Sequence, residues 1–300
     1  ARYLRSTADS GPDAAGADLG ELDGSTDVSS GQRRLWFLQQ QSPDSLAHHM
    51  PTSLKGIGRL DADAFEAALQ AIVDRHEALR TCFRFDGVGL RCVPAAATAL
   101  LSRHDLRAEP ADRVPQRREA LRLAFYNRPF DLSRDRMLRA QWVLVDDSTF
   151  DLEICIHHIA FDGWSAALFG PELEAEYRIR SGRQKGSGAT ATGSRYRAFA
   201  RWQNQLLASP AFGTKLRYWE DRLAGHAGRS SLSVARGGAS PPAPATRSRA
   251  GIAQYRIDRE LTGQIVAYAR ETRSTNFIVL LAAFKSLLYR YSGDPDVCVG

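Results

Sequence analysis

The sequence predicts a mixed α/β (α+β) chain in two parts, and three observations carry that reading. Amphipathic helical stretches interleave with short β-rich runs along the whole length. The stretch "SGRQKGSGATATGSR" at 181–195 is rich in Gly, Ser and Thr and lacks apolar periodicity, so it reads as a linker between the parts. The chain's 300 residues suffice for one large domain or two ordinary ones with a substantial core.

Residues 1–26 are polar and Gly/Asp-rich, do not begin with Met and read as a leader, consistent with a stretch excised from something longer. "SSGQRRLWFLQQQSP" then has the polar start and apolar repeat of a short helix. A longer amphipathic helix follows in "LDADAFEAALQAIVDRHEALRTCF". Phe65, Leu69, Ile72, Val73, His76 and Leu79 share one face, with Asp61 or Asp63 as N-cap. His76, on that apolar face, reads as a hydrogen-bonded core histidine. "TCFRFDGVGLRCV" is a hairpin turning at Asp86-Gly87. The helix "VPQRREALRLAFYNRPF" leads into two strands within "MLRAQWVLVDDSTFDLEICIHHI", joined by a polar turn at Asp146 to Thr149. Another helix starts near Trp164, with Gly170-Pro171 as a point of kinking or breaking.

Beyond the linker, "YRAFARWQNQLLAS" and "GTKLRYWEDRLAG" are amphipathic helices, in which Trp202 and Trp219 pack the second part. A long Pro/Gly loop follows. "IAQYRID" then reads as a strand, "RELTGQIVAYARET" as a helix, "NFIVLLAAFKSLLYRYSG" as a core helix, and "DVCVG" as the start of a strand.

Composition removes several functional classes. No apolar run approaches transmembrane length, and no secretory leader opens the chain, which points to a soluble cytoplasmic protein. The 40 Lys plus Arg, nearly all Arg, are scattered among 34 Asp plus Glu, as in "EPADRVPQRREALR". That pattern makes a solvated surface, suited to an acidic protein partner, and not a nucleic-acid stripe. Cys82, Cys92, Cys155 and Cys298 lack metal-type spacing and read as reduced, buried thiols.

The chemistry concentrates in "CIHHIAFDGWS", residues 155–165. Strand alternation puts Leu152, Ile154, Ile156 and His158 on one face and Glu153, Cys155 and His157 on the other. The two histidines therefore point in opposite directions and do not share a metal. Ser165 lacks a nucleophile elbow. A lone histidine at a strand end suits accepting a proton from an incoming nucleophile or holding it by a hydrogen bond. Asp162 has two readings: N-cap of the following helix, or partner of an arginine that fixes the loop, for which Arg80 and Arg139 are candidates. Gly163 either supplies the turn or keeps a side chain out of a substrate channel. The second pair, His48-His49 in "LAHHMPTSL", has no comparable sequel and reads as loop or strand surface.

"HHIAFDG" resembles the HHxxxDG signature of the condensation-domain family of nonribosomal peptide synthetases, within the chloramphenicol acetyltransferase-like superfamily. The ordered blocks around it strengthen the resemblance. "SSGQRRLWFL" is similar to SxAQxRLWxL, with Gly31 where alanine is usual. "RHEALRTCF" matches RHExLRTxF at every fixed position, and Phe161 stands where the third block commonly has a small residue. "YRAFARWQ" is similar to YxDYAVWQ, with Ala198 in place of Asp.

The resemblance implies two chloramphenicol-acetyltransferase-like halves forming a V-shaped pseudo-dimer, with the HHxxxDG site in the tunnel between them. On this sequence the N-terminal subdomain is 27–180 and the first part of the C-terminal one is 196–300, leaving the second half incomplete. It also implies peptide-bond formation. A carrier-bound acceptor amine attacks a carrier-bound donor thioester, with His158 catalytic and His157, Asp162, Gly163, Arg80 and Arg139 shaping the site. Implied partners are donor and acceptor carrier proteins and neighbouring synthetase domains. The phosphopantetheine arms belong to the carriers, so no cofactor or metal is expected on this chain. His158 is open to three duties: general base, amine anchor or stabiliser of the tetrahedral intermediate. An epimerization domain and a catalytically silent member that recruits partners are the alternatives.

Overall fold

A computed structural model describes residues 27–186, 196–226 and 254–299. The leader, most of the 181–195 linker, most of the Pro/Gly loop and Gly300 lie outside the described residues. The chain divides into two compact units, one ending at Gly213 and the other starting at Thr214.

The first unit is a four-stranded sheet with helices on both faces. Its elements are α1 (Ser30–Gln41), β1 (His49–Ile57), α2 (Ala62–Arg75), the hairpin β2 (Thr81–Phe85) and β3 (Leu90–Pro94), β4 (Leu101–Asp105), α3 (Val114–Tyr126), β5 (Leu138–Leu144), β6 (Thr149–His157), α4 (Gly163–Arg180) and α5 (Tyr196–Leu207). The sheet order is β1-β6-β5-β4, antiparallel except for the β4–β5 pair. Parallel neighbours need a crossover, which α3 supplies. β1 and β4 are additions to the strands expected from sequence. β1 carries Pro51 and Gly56 and is mostly exposed, so it has no inward-outward alternation to announce it. Gly56 is needed there because the Phe150 ring crosses the strand: a Cβ on Gly56 would overlap Phe150 Cζ.

Helices α2 and α4 cover one sheet face. Phe65, Leu69, Ile72 and Val73 of α2 meet Leu138, Leu152, Ile154 and Ile156, with Leu173 of α4 closing the layer. On the opposite face, Leu121 of α3 packs on Val143. Phe125 of α3 joins Cys155 and hairpin residues Phe83 and Cys92 in a further cluster. Asp61 caps α2 by accepting from Ala64 N. The hairpin turn is a four-residue loop, not a two-residue one: the Asp86 carboxylate accepts from Val88 N and Gly89 N at 3.0 and 2.9 Å, and Gly87 takes φ +90°.

α4 runs unbroken through Pro171. Ion pairs hold the turns beyond the proline: Arg75 of α2 meets Glu172 at 3.1 Å and also Glu176, while Arg180 meets Glu176 at 2.5 Å. His76 lies just past the end of α2, where the backbone leaves the helical path. Its ring is therefore half-exposed and bonds Glu172 at 2.7 Å, instead of sitting in the core.

α5 fastens distant parts of the unit. Tyr196 OH meets Ser29 Oγ at 3.0 Å, Gln203 Oε1 accepts from Ser30 N at 2.8 Å, Asn204 donates to Val28 O at 3.3 Å, and Arg197 pairs with the buried Glu77. Ser29 also makes a capping box with Gln32 that starts α1. A Cβ placed on Gly31 would have no neighbour closer than 3.9 Å, so alanine would fit there as well.

α6 (Pro210–Leu223) crosses the boundary between units, and the second unit carries α7 (Arg259–Glu271) and α8 (Asn276–Ser292) in mutual contact. Two expectations change here. Residues 254–258 of the expected strand "IAQYRID" and 296–299 of "DVCVG" form no strand among the described residues. A strand needs a neighbour for its backbone groups, and none stands beside them among those residues. α8 forms as read but buries none of its side chains, leaving Phe277, Phe284 and Tyr291 exposed. Trp202 and Trp219 are likewise exposed, because neither helix face meets a second apolar layer among the described residues. Cys298 is exposed, whereas Cys82, Cys92 and Cys155 are buried free thiols. Burial pushes the Cys82 thiol up to about 11 and that of Cys92 to about 12. No described helix is long and apolar enough to cross a membrane.

Candidate active site

The site grows out of the end of β6. Leu152, Ile154 and Ile156 face the α2/α4 core, which sends Glu153, Cys155 and His157 to the α3 side. That second stripe is polar, and Asp151, Glu153 and Cys155 each face a partner, whereas the buried Nε2 of His157 has none among the described residues. Asp151 pairs with Arg118 at 2.6 Å. Glu153 accepts from Ser53 Oγ at 3.1 Å and from Tyr126 OH. Cys155 lies across from Arg139 on β5.

His157 is fully buried. Its Nδ1 accepts the Ile159 N–H at 3.1 Å, which places the ring proton on Nε2 and fixes the tautomer. Burial first, then the charges of His49, His48, His158 and Arg139, pushes its pKa down to about 3, so the ring is neutral at physiological pH. Phe130 packs edge-on against it with centroids 5.6 Å apart.

His158 follows directly and is exposed. Its backbone N–H donates to His48 O at 2.8 Å, and its Nδ1 lies 2.6 Å from Phe161 O. A carbonyl only accepts, so Nδ1 carries a proton, and it is the Nδ1–H tautomer, with its lone pair on Nε2, that this bond selects. The turn is closed by Ala160 N donating to His157 O at 3.0 Å. Phe161, large where small residues are commoner, rests edge-on against Phe169 of α4 at 5.6 Å, which accounts for its fit.

Asp162 is the N-cap of α4. Its Oδ1 accepts from Ser165 N at 2.8 Å and Ser165 Oγ at 2.7 Å, and these donors hold its carboxyl below the usual range. The capping alternative is therefore the one the structure takes. Neither candidate arginine reaches Asp162 among the described residues. Arg80 is exposed at the end of the 3₁₀ turn Glu77–Arg80. Arg139 is buried on the opposite side of the sheet, because alternation on β5 turns it toward α3. There it donates to Phe125 O at 3.3 Å, Pro129 O at 3.5 Å and Arg128 O, the carbonyls at the end of α3. Its guanidinium also lies 4.0 Å from the centroid of Phe130. Arg139 thus backs the wall behind His157 and not the loop at Asp162. Gly163 has no neighbour within 4 Å of a Cβ position and no positive φ. Neither packing nor turn geometry requires glycine there, which leaves the open space before α4 as its local distinction.

The histidine pair read as surface proves to be part of this neighbourhood. His49 pairs with His157 in the β1–β6 register, packs edge-on against Phe130 at 5.1 Å and lies 6.3 Å from His157. Burial and Arg139 push it down to about 4. His48 lies 6.1 Å from His157, and its pKa is lowered by burial, His158 and Arg34. No local pattern in the sequence marks these rings, because their place depends on β1 finding β6. Among the described residues no group of three or more His, Cys, Asp or Glu is arranged to hold a metal ion. The arrangement provides one exposed imidazole with a fixed acceptor nitrogen, beside open space.

Comparison with known proteins agrees on one family. The family described as "Condensation domain" matches residues 23–300. Chondramide synthase cmdD of Chondromyces crocatus is 38% identical over 276 residues, covering 91% of this chain and 7% of that protein. Phosphinothricin tripeptide synthetase PhsC of Streptomyces viridochromogenes is 34% identical over 303 residues, covering 99% of this chain and 27% of that protein. The chain thus spans a minor part of those relatives. Among solved structures, the X-domain from teicoplanin biosynthesis aligns with a TM-score of 0.73 at 26% identity, over 88% of this chain and 57% of that one. The starter condensation domain of rhizomide synthetase RzmA aligns with a TM-score of 0.69 at 21% identity, over 91% of this chain and 60% of that one, a likeness of fold.

Proposed function

We propose that this chain, which belongs to the condensation-domain family of nonribosomal peptide synthetases, joins a carrier-bound acceptor amine to a carrier-bound donor acyl or peptidyl thioester. Both substrates would arrive on the phosphopantetheine arms of carrier proteins, so the chain needs no cofactor of its own for this step.

The observation that supports a specific role is the proton on His158 Nδ1, set by Phe161 O. With Nδ1 as donor, the neutral ring meets the substrates through the Nε2 lone pair. That polarity suits accepting a hydrogen bond, and then a proton, from the amine. It does not suit donating to an oxyanion, so base or amine anchor is favoured over intermediate stabiliser. In the step, the amine nitrogen bonds to the thioester carbonyl carbon and the C–S bond breaks. The proton lost by nitrogen passes to Nε2 and from there to the departing sulfur. Because a thioester is already activated, positioning of the two substrates supplies much of the rate. Gly163 would leave the acceptor's approach clear, and His157 and Asp162 would hold the two ends of the turn that carries His158.

His158→Ala is expected to lower amide formation by about 10²–10⁴-fold with loaded donor and acceptor carriers. Near-normal turnover at saturating carriers would sink the assignment. The same assay separates the alternatives. A new amide bond means condensation, inversion at the donor α-carbon without a new bond means epimerization, and binding without product means recruitment.

A further inference from the structure

The reading of His158 as acceptor leaves the thioester carbonyl oxygen, where negative charge develops, without a donor from that ring. The structure places a second imidazole nearby. The β1–β6 register pairs His49 with His157, and the bond from His158 N to His48 O continues it by one step. His48 and His158 are therefore backbone neighbours one step past the ends of β1 and β6, joined by that 2.8 Å bond. The ring of His48 is only partly buried, and among the described residues its nitrogens make no hydrogen bond. Unlike His157 and His158, whose tautomers are fixed at Nδ1, it can present an N–H from either nitrogen. Burial first, then His158 and Arg34 of α1, lower its pKa, and the nearby Arg34 charge favours an anion there.

We propose that His48 is a second catalytic residue of this site, donating an N–H to the thioester oxygen as the tetrahedral intermediate forms while His158 takes the amine proton. The division of labour follows from chemistry. Two neighbouring imidazoles, one holding its proton on Nδ1 and one free to donate from either nitrogen, supply both polarities that acyl transfer to an amine requires. The inference rests on the proposed condensation activity.

The test uses the full chain with loaded donor and acceptor carriers and reads kcat and KM separately. His48→Phe, which keeps a ring but no donor, is expected to lower kcat by about 10²–10³-fold, the scale of losing one oxyanion donor, with KM for both carriers unchanged. His48→Gln, which keeps an N–H, is expected to recover most of that loss. His48→Glu, equal in size to Gln but anionic, is expected to be as poor as Phe. The Gln/Glu pair keeps the test decisive if the Phe variant does not fold. Equal kcat for Gln and Glu, or wild-type kcat for Phe, overturns the role of His48. His158→Ala in the same assay separates the two ideas. Loss with His158→Ala but not with the His48 variants defeats only this inference, whereas no loss with His158→Ala defeats the reading beneath it.

Discussion

At the scale of single residues, the two adjacent histidines are differentiated by one hydrogen bond each. His157 Nδ1 accepts from Ile159 N, whereas His158 Nδ1 donates to Phe161 O, so the rings carry their protons on opposite nitrogens. The buried ring has a consequence for stability. His157 and His49 are held at about 3 and about 4, against about 6.5 in an unfolded chain. As pH falls below about 6.5 the unfolded chain takes up protons that the folded chain refuses. Their contribution is complete above that value and is lost progressively toward the folded values, by about 1.4 kcal/mol per pH unit for each ring not yet protonated in the fold. Urea unfolding at pH 7, 6 and 5 is expected to show falling stability, and His157→Gln is expected to flatten that slope by one proton. An unchanged slope in the variant would show that His157 is not excluded from protonation.

At the scale of elements, β1 decides more than its sequence suggests. It is an edge strand with few apolar contacts, yet its first residue and the residue before it lie beside the His157–His158 turn. Its fit depends on Gly56, over which the Phe150 ring lies. Phe150 also packs against the core beneath α2 and α4, so the ring has little freedom to retreat. Gly56→Ala is expected to cost about 1–3 kcal/mol through overpacking. Denaturant unfolding checks this, and the cost is expected to shrink in a Phe150→Leu background, where the clashing atom is gone. An equal cost in both backgrounds would trace the effect to backbone freedom and not to the ring. α4 illustrates the converse, a helix whose local sequence invites a break at Pro171 but which continues because Glu172 and Glu176 are bound to α2.

At the scale of the whole molecule, the family's sequence blocks separate into a clasp and the turn that carries His158. The first block contributes Ser29 and Ser30, the second Glu77, and the fourth Tyr196, Arg197 and Gln203, and these residues bond one another. The third block instead carries the turn of His158. The Glu77–Arg197 pair is the buried element of the clasp, so Arg197→Met is expected to destabilise the first unit by about 3–5 kcal/mol by leaving the carboxylate uncompensated. Adding Glu77→Gln is expected to restore part of the loss in a double-mutant cycle followed by denaturant unfolding. Strict additivity would show that the pair is not coupled. Ala198, where the fourth block usually has aspartate, lies next to Arg197 but is not part of these bonds.

What was legible in the sequence is what a few neighbouring residues dictate. The apolar period of α2 as far as Arg75, the alternation along β6 as far as His157, and the capping reading of Asp162 all depend on residues within a turn or a strand, and the structure has each of them. The block order likewise sufficed for the family and the fold class, because several short blocks recur in the family's order despite departures at Gly31, Phe161 and Ala198. Other features were settled only when distant segments met. Arg139 turned out to brace the end of α3 behind His157, since its direction follows from β5 pairing and not from its charge. His48 and His49 carry no local sign of their place, because the β1–β6 register alone puts them beside the His157–His158 turn. A helix or cap is specified by short-range hydrogen bonds and periodicity, whereas a sheet neighbour is chosen by backbone groups far apart in the chain. The second imidazole beside His158 belongs to that latter kind of information.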